Sequence, residues 1–286
     1  MFSIFLILGL SIFNSIYSNP KDYPWIDNEI YKNSEKIISI PVPKNFERIT
    51  IGAGLKHTPT INSFENWLRN LPLKKDHPFV FLYNGKKKKY QDAQYKIIDI
   101  DVGAQDLQQC ADAIIRLRAE YLYSINEYSN LHFNFTNNDT AYYEKWREGF
   151  RPSFNKNKSN WIKTKSTDSS YYSFKEYLNV IFNYAGSYSL NKEMIKVKNI
   201  EDMKIGDVFI QGGFPGHAII VVDLAINPKN NNKIFMIAQS YMPAQEIHIL
   251  KNPNNENLSP WYELNFGNIL LTPEWDFLKT DLKRWK

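Results

Sequence analysis

Gly206 to Asp223 reads GDVFIQGGFPGHAIIVVD. Gly206-Asp207 is a turn signal, Val208 to Ile210 a short apolar strand and Ala218 to Val222 a second one. Between them lie Gly212, Gly213, Pro215 and Gly216, residues that let a backbone turn sharply and another group approach closely. His217 stands at the mouth of the second strand. An imidazole in that position suits general-base work on a nucleophile delivered from elsewhere. The chain has one cysteine, Cys110, well upstream. Whether the fold makes these two residues partners decides the chemistry.

Outward from this hairpin, the C-terminal third predicts strands at 208–211, 217–224, 233–239 and 246–250, with turns at Asn227-Pro228 and Asn252-Pro253. Upstream the pattern is helical. Asp106 with Gln109 three places on forms a capping-box signal. Leu107, Cys110, Ala111, Ile114, Leu117 and Tyr121 then mark one face of a helix over 107–123. Ser63 reads as an N-cap, and a helix over Ser173 to Tyr184 ends near Gly186, a natural C-cap. Further strands are expected at Phe46 to Ile51, Val80 to Tyr83 and Tyr95 to Val102. Residues 126–170, rich in Asn, Ser and aromatics, read as an insertion with a short helix near 139–148. Helices first and antiparallel strands after is an α+β order.

The 286 residues are 43% hydrophobic and 15% aromatic, enough to bury a substantial core. Met1 to Ser18, MFSIFLILGLSIFNSIYS, has an apolar stretch too short for a comfortable membrane span. It predicts a signal peptide over 1–18, with cleavage after Ser18 or after Ser15. The expected product is an exported chain, periplasmic or extracellular, with a single domain over 19–286 and no stable membrane span. The net charge of +5 is not organised into a nucleic-acid module. Lys86 to Lys89 follow Asn84-Gly85 and read as a solvated turn in preference to a nucleic-acid patch. The five histidines, 57, 77, 132, 217 and 248, show no metal-binding spacing, and no glycine motif precedes a helix to cradle phosphate. Neither a metal nor a cofactor is expected.

Three residues are candidates for catalysis. Cys110, near a helix N-terminus, would have its thiolate favoured by the backbone amides and dipole. His217 would be the base. Gln239, at the end of the 233–239 strand, would come level with His217 in an antiparallel hairpin and hold its tautomer. The competing readings are an inert buried thiol, a structural histidine and a strand-end amide that satisfies backbone. Gly213, Tyr241 and Trp261 are candidate substrate contacts, with Tyr262 and Trp275 as further groove aromatics. Packing in core and rim is the alternative for the aromatics.

A cysteine heading a helix, then the GDVF…GH hairpin, then a polar residue on the next strand resembles the NlpC-type and CHAP-type papain-like cysteine peptidases and amidases. Around the nucleophile those families carry Asp-Cys-Ser or similar, where this chain has Gln108-Gln109-Cys110-Ala111. The resemblance implies a papain-like core, a helix packed on an antiparallel sheet, here with N-terminal and mid-chain additions. It also implies a peptide or peptidoglycan fragment as partner. Longer strings, DLQQCADAIIRLRAEYLY at 106–123, AQSYMPAQEIHILKNP at 238–253, SPWY at 259–262 and TPEW at 272–275, resemble the bacterial family called domain of unknown function 4846. That resemblance implies an exported bacterial protein.

Overall fold

Along the His217–Ile226 strand, every residue from His217 to Ala225 is buried in the computed structural model, which describes residues 22–51, 63–156 and 158–286. The leader expected at 1–18 and His57 lie outside the described residues. A strand covered on both faces needs a near-continuous apolar run, and Ala218 to Val222 supplies it. It sits at the centre of an antiparallel sheet. Across that sheet run Gln94–Ile97, His248–Leu250, Lys233–Gln239, His217–Ile226, Val208–Gln211, Leu282–Arg284 and Ile195–Lys196. Glu47–Arg48 and Tyr262–Glu263 pair at the far ends of the His217 and Lys233 strands. The register sets Gln211 opposite His217, Ile220 opposite Ala238 and Gln239 opposite His248. The chain is mixed α+β. No helix among the described residues is long and apolar enough to cross a membrane.

The helices among the described residues are α1 Asn28–Asn33, α2 Phe64–Arg69, α3 Cys110–Ser124, α4 Tyr143–Arg147, α5 Tyr171–Tyr184 and α6 Ser187–Glu193. Ser63 caps α2 by accepting from the Asn66 amide, and Ser170 caps α5 by accepting from Ser173. Gly186 heads α6 and does not end α5, whose C-cap is Ala185. Helix α3 packs on the His217 and Lys233 strands and buries Ala111, Ile114 and Leu117. It starts at Cys110, later than the capping pattern predicts. The Asp106 carboxylate is spent elsewhere, accepting from the Ala244 amide at 2.6 Å and from Gln109 Nε2 at 3.1 Å. Gln109 is the N-cap, and Asp112 accepts its amide. Cys110 is therefore the first helical residue.

The lysine run departs from expectation. Val80 to Lys88 is a tight hairpin in which Phe81 bridges Lys87 and the Lys88 amide donates to Val80 O at 2.9 Å. Lys86, Lys87 and Lys89 are exposed, but Lys88 is buried and pairs with Glu274. Of the four, Lys88 alone is turned inward, onto Glu274. Residues 126–170 form the hairpins His132–Asn134/Thr140–Tyr142 and Phe150–Asn155/Lys158–Lys163, with α4 between them, all outside the main sheet. At the C-terminus, Ile269–Leu271 pairs with Asp276–Leu278, and Leu282–Arg284 joins the main sheet beside Val208.

Candidate active site

Helix α3 points its first turn at the backbone on either side of His217. The Cys110 thiol donates to Gly216 O across 4.0 Å, and the Ala218 and Ala111 amides face the sulfur. The thiol and the histidine-bearing backbone are thus brought together. The first amides of a helix have no intrahelical acceptor, so the N–H groups of Cys110 and Ala111 are natural donors to a developing negative charge there.

Gln239 is where the hairpin argument places it. Extending the Ile220–Ala238 register sets Gln239 opposite Ile219, one diagonal step from His217 on the same face. His217 Nε2 lies 2.9 Å from Gln239 Oε1. Two more partners lock the amide. Gln239 Nε2 donates to Glu274 Oε2 at 2.7 Å and faces His248 Nε2 at 3.4 Å. Glu274 also takes the Lys88 ammonium. His248 Nδ1 donates to Glu246 O at 2.9 Å, which leaves its Nε2 as an acceptor. Both amide hydrogens of Gln239 are therefore committed, and its oxygen must face His217. His217 carries its proton on Nε2, and Nδ1 keeps a lone pair, the form a general base needs.

The electrostatics are those of a buried site. Burial pushes the Cys110 thiol up to about 11, helped by the neighbouring Asp112 and opposed by the backbone amides. The expected helix-head depression is outweighed, because the thiol is only 7% exposed. Burial also lowers His217 to about 4, against the Gln239 hydrogen bond, and His248 to about 3. Asp112, buried, is pushed up to about 8. At neutral pH thiol and imidazole are both uncharged.

The candidate substrate contacts separate. Tyr241 packs against the imidazole, ring centres 4.7 Å apart. Gly213 lies in the adjoining loop, where its carbonyl accepts from Ser187 Oγ at 3.2 Å. Gly216 is forced in that loop, because a Cβ there would come within 2.4 Å of Ser187 Oγ and 2.7 Å of backbone oxygens. Trp261 is not in the groove. It is buried near the far end of the Lys233 strand, donates to Pro41 O, and packs under Arg48. Its place beside His217 is taken by Trp275, at 5.4 Å, and Phe277, at 5.8 Å. Trp275 is fixed by its N–H to Gln211 Oε1. Phe214 and Met242, 90% and 52% exposed, stand on the loops leaving the site. Glu274, Lys88 and His248 escaped sequence reasoning; the TPEW string marks Glu274 as a family position but says nothing of its partners.

No group of three or more His, Cys, Asp or Glu among the described residues is arranged to hold a metal. The architecture is that of an α+β protein with a helix-borne thiol set against a histidine strand. The chain belongs to the family described as domain of unknown function 4846, whose profile matches residues 39–284. No curated protein and no solved structure matches it.

Proposed function

We propose that the chain is an exported, papain-like cysteine hydrolase that cleaves an amide bond, with peptidoglycan stem peptides as its substrate class. The observation that carries this reading is the locked His217–Gln239 pair, with its free Nδ1, next to a thiol at the first position of α3. In the reaction the Cys110 proton passes to His217 Nδ1 as the sulfur attacks the carbonyl carbon. The C–N bond breaks, the amine leaves with the proton from the imidazolium, and a thioester remains. Water, deprotonated by His217, attacks the thioester, releasing the acid and restoring the thiol. The stem-peptide class rests on the NlpC-type resemblance of the hairpin.

A second reading is an envelope protein that binds a cell-wall or peptide ligand in the same cleft without chemistry. The buried thiol, raised to about 11, beside an imidazole against which Tyr241 packs favours it. Incubation with stem-peptide fragments separates the two. Hydrolysis abolished by Cys110→Ser and slowed about 10²–10⁴-fold by His217→Ala supports the enzyme. Binding of the same fragments by wild type and Cys110→Ser alike, with no turnover, supports the binder.

A further inference from the structure

Two arginines sit two residues apart on α3, with opposite surroundings. Arg116 is saturated: it donates to Glu120 at 2.6 Å, Gln108 at 2.9 Å, Asp101 at 3.1 Å and Tyr171 at 3.2 Å. Arg118 makes no hydrogen bond and no ion pair among the described residues. Its guanidinium lies amid three rings, 5.0 Å from the centre of Phe64, 5.6 Å from Tyr121 and 5.8 Å from Trp285. Burial lowers its pKa, and only Tyr121 counters this. A half-buried cation so placed has given up part of its water without gaining a counter-charge, which is costly for the protein alone.

Arg118 opens onto a cavity of about 380 Å³ walled also by Phe133, Tyr142, Asn134 and Trp285. That is the size of a small-molecule site. Another polar atom there is unspent. Trp285 Nε1 is buried with no hydrogen-bond partner among the described residues. The carboxyl on its wall, Glu193, accepts from the Asn134 amide and is pushed up by burial to about 7, so its charge is weakened near neutrality. The adjoining cleft shares Arg118 and Trp285 but carries the carboxylates Glu65 and Glu127 beside Lys204, and its Arg284 is held by Asp207, so the anion site is confined to the first cavity.

We propose that this cavity is a second ligand site, for a small anion with an aromatic or apolar body, its oxyanion held by the Arg118 fork and its body stacked among the rings. The guanidinium fork matches a carboxylate or a phosphate two bonds at a time. The rings supply the apolar wall. The site lies roughly 12 Å along α3 from Cys110, counting 1.5 Å per residue, and owes nothing to the thiol chemistry.

Calorimetric titration of the full folded chain with benzoate, phenyl phosphate, inorganic phosphate and the neutral isostere benzamide tests it. Benzoate or phenyl phosphate is expected to bind, the tighter of the two naming the anion, and benzamide is not. Arg118→Gln should weaken binding at least tenfold, and Arg118→Lys less. The melting temperature of Arg118→Gln should be unchanged or raised, whereas Arg116→Gln lowers it. Three outcomes overturn the proposal: no probe binding at millimolar concentration, equal affinity in Arg118→Gln, or inorganic phosphate binding as tightly as phenyl phosphate. A melting loss in Arg118→Gln as large as that of Arg116→Gln also overturns it, by making Arg118 structural.

Discussion

The two ends of the His217–Ile226 strand both bury polar side chains, to opposite purposes. Near one end Asp223 is fully compensated. It binds Arg48 at 2.6 Å and Arg69 at 2.5 Å, and Arg69 goes on to the carbonyls of Ile49 and Leu224. Every charge there has a partner, and the cluster ties α2 and the Glu47–Arg48 strand to the sheet. At the other end the chain from Lys88 through Glu274 to Gln239 is equally complete, but it stops at His217, whose Nδ1 is left with a lone pair. Saturation makes a brace. A network that fixes all but one atom makes a site, because that atom is held in place and still free to react.

The largest break in this comparison comes from Asp223→Ala. It strands two guanidinium groups in the interior, and the expected loss is about 3 to 5 kcal/mol of unfolding free energy, read from urea denaturation. Where the variant is still folded, the alkylation rate of Cys110 should stay within about twofold of wild type, since sites this far apart couple weakly. An equal fall in both would mean that the two ends are one structure.

Acid sharpens the contrast next. His217 and His248 are held neutral, at about 4 and about 3, against an ordinary value of 6.5. A base with a lowered folded pKa contributes stability that is present above 6.5 and is lost as pH falls toward the folded value. Unfolding free energy should therefore drop between pH 6.5 and 4, on the order of 1.4 kcal/mol per pH unit for each histidine. Asp112 acts in the other direction: with its folded pKa raised to about 8, its stabilising contribution is lost as pH rises from about 4 through 8. His248→Gln should flatten the acid limb, and Asp112→Asn the neutral one, in melts taken across pH 4 to 8.

Gln239→Leu comes third. It leaves the His217 Nε2–H and the Glu274 carboxylate each short of a partner, at about 1 to 3 kcal/mol. The more telling readout is nitrogen NMR of His217. Wild type should show one neutral tautomer, protonated on Nε2, and the variant a mixture. A mixture in wild type would contradict the locked amide.

How much of this was legible depended on which contacts are local. The hairpin around His217 and its pairing with 233–239 follow from glycines, turn residues and apolar runs. Gln239 beside His217 follows from that pairing. The start of α3 was misread because Asp106 is a good cap by type, yet a distant amide, that of Ala244, claims its carboxylate. Lys88 was hidden in a run of four like charges, and only its distant partner Glu274 singles it out. Trp275 and Glu274 reach the site because the C-terminal hairpin folds back over it, a long-range docking that no local pattern encodes. Trp261 and Trp275 look alike as exposed-groove candidates in the sequence; tertiary packing alone sends one to the core and the other to the imidazole.

The smallest expected effect belongs to the rim of the open end. Phe214 is 90% exposed on the loop between Gln211 and His217, and Met242 is half-exposed on the loop leaving Gln239. Two large apolar side chains held in water beside a closed site gain nothing for folding. Phe214→Ser should therefore change unfolding free energy by no more than about 0.5 kcal/mol. If the rim grips an apolar part of the substrate, KM for stem-peptide fragments should rise several-fold with kcat nearly constant, the sign of lost uniform binding. A fall in kcat with KM unchanged would instead tie the loop to His217 itself, through Gly216, and would move the boundary between brace and site one loop outward.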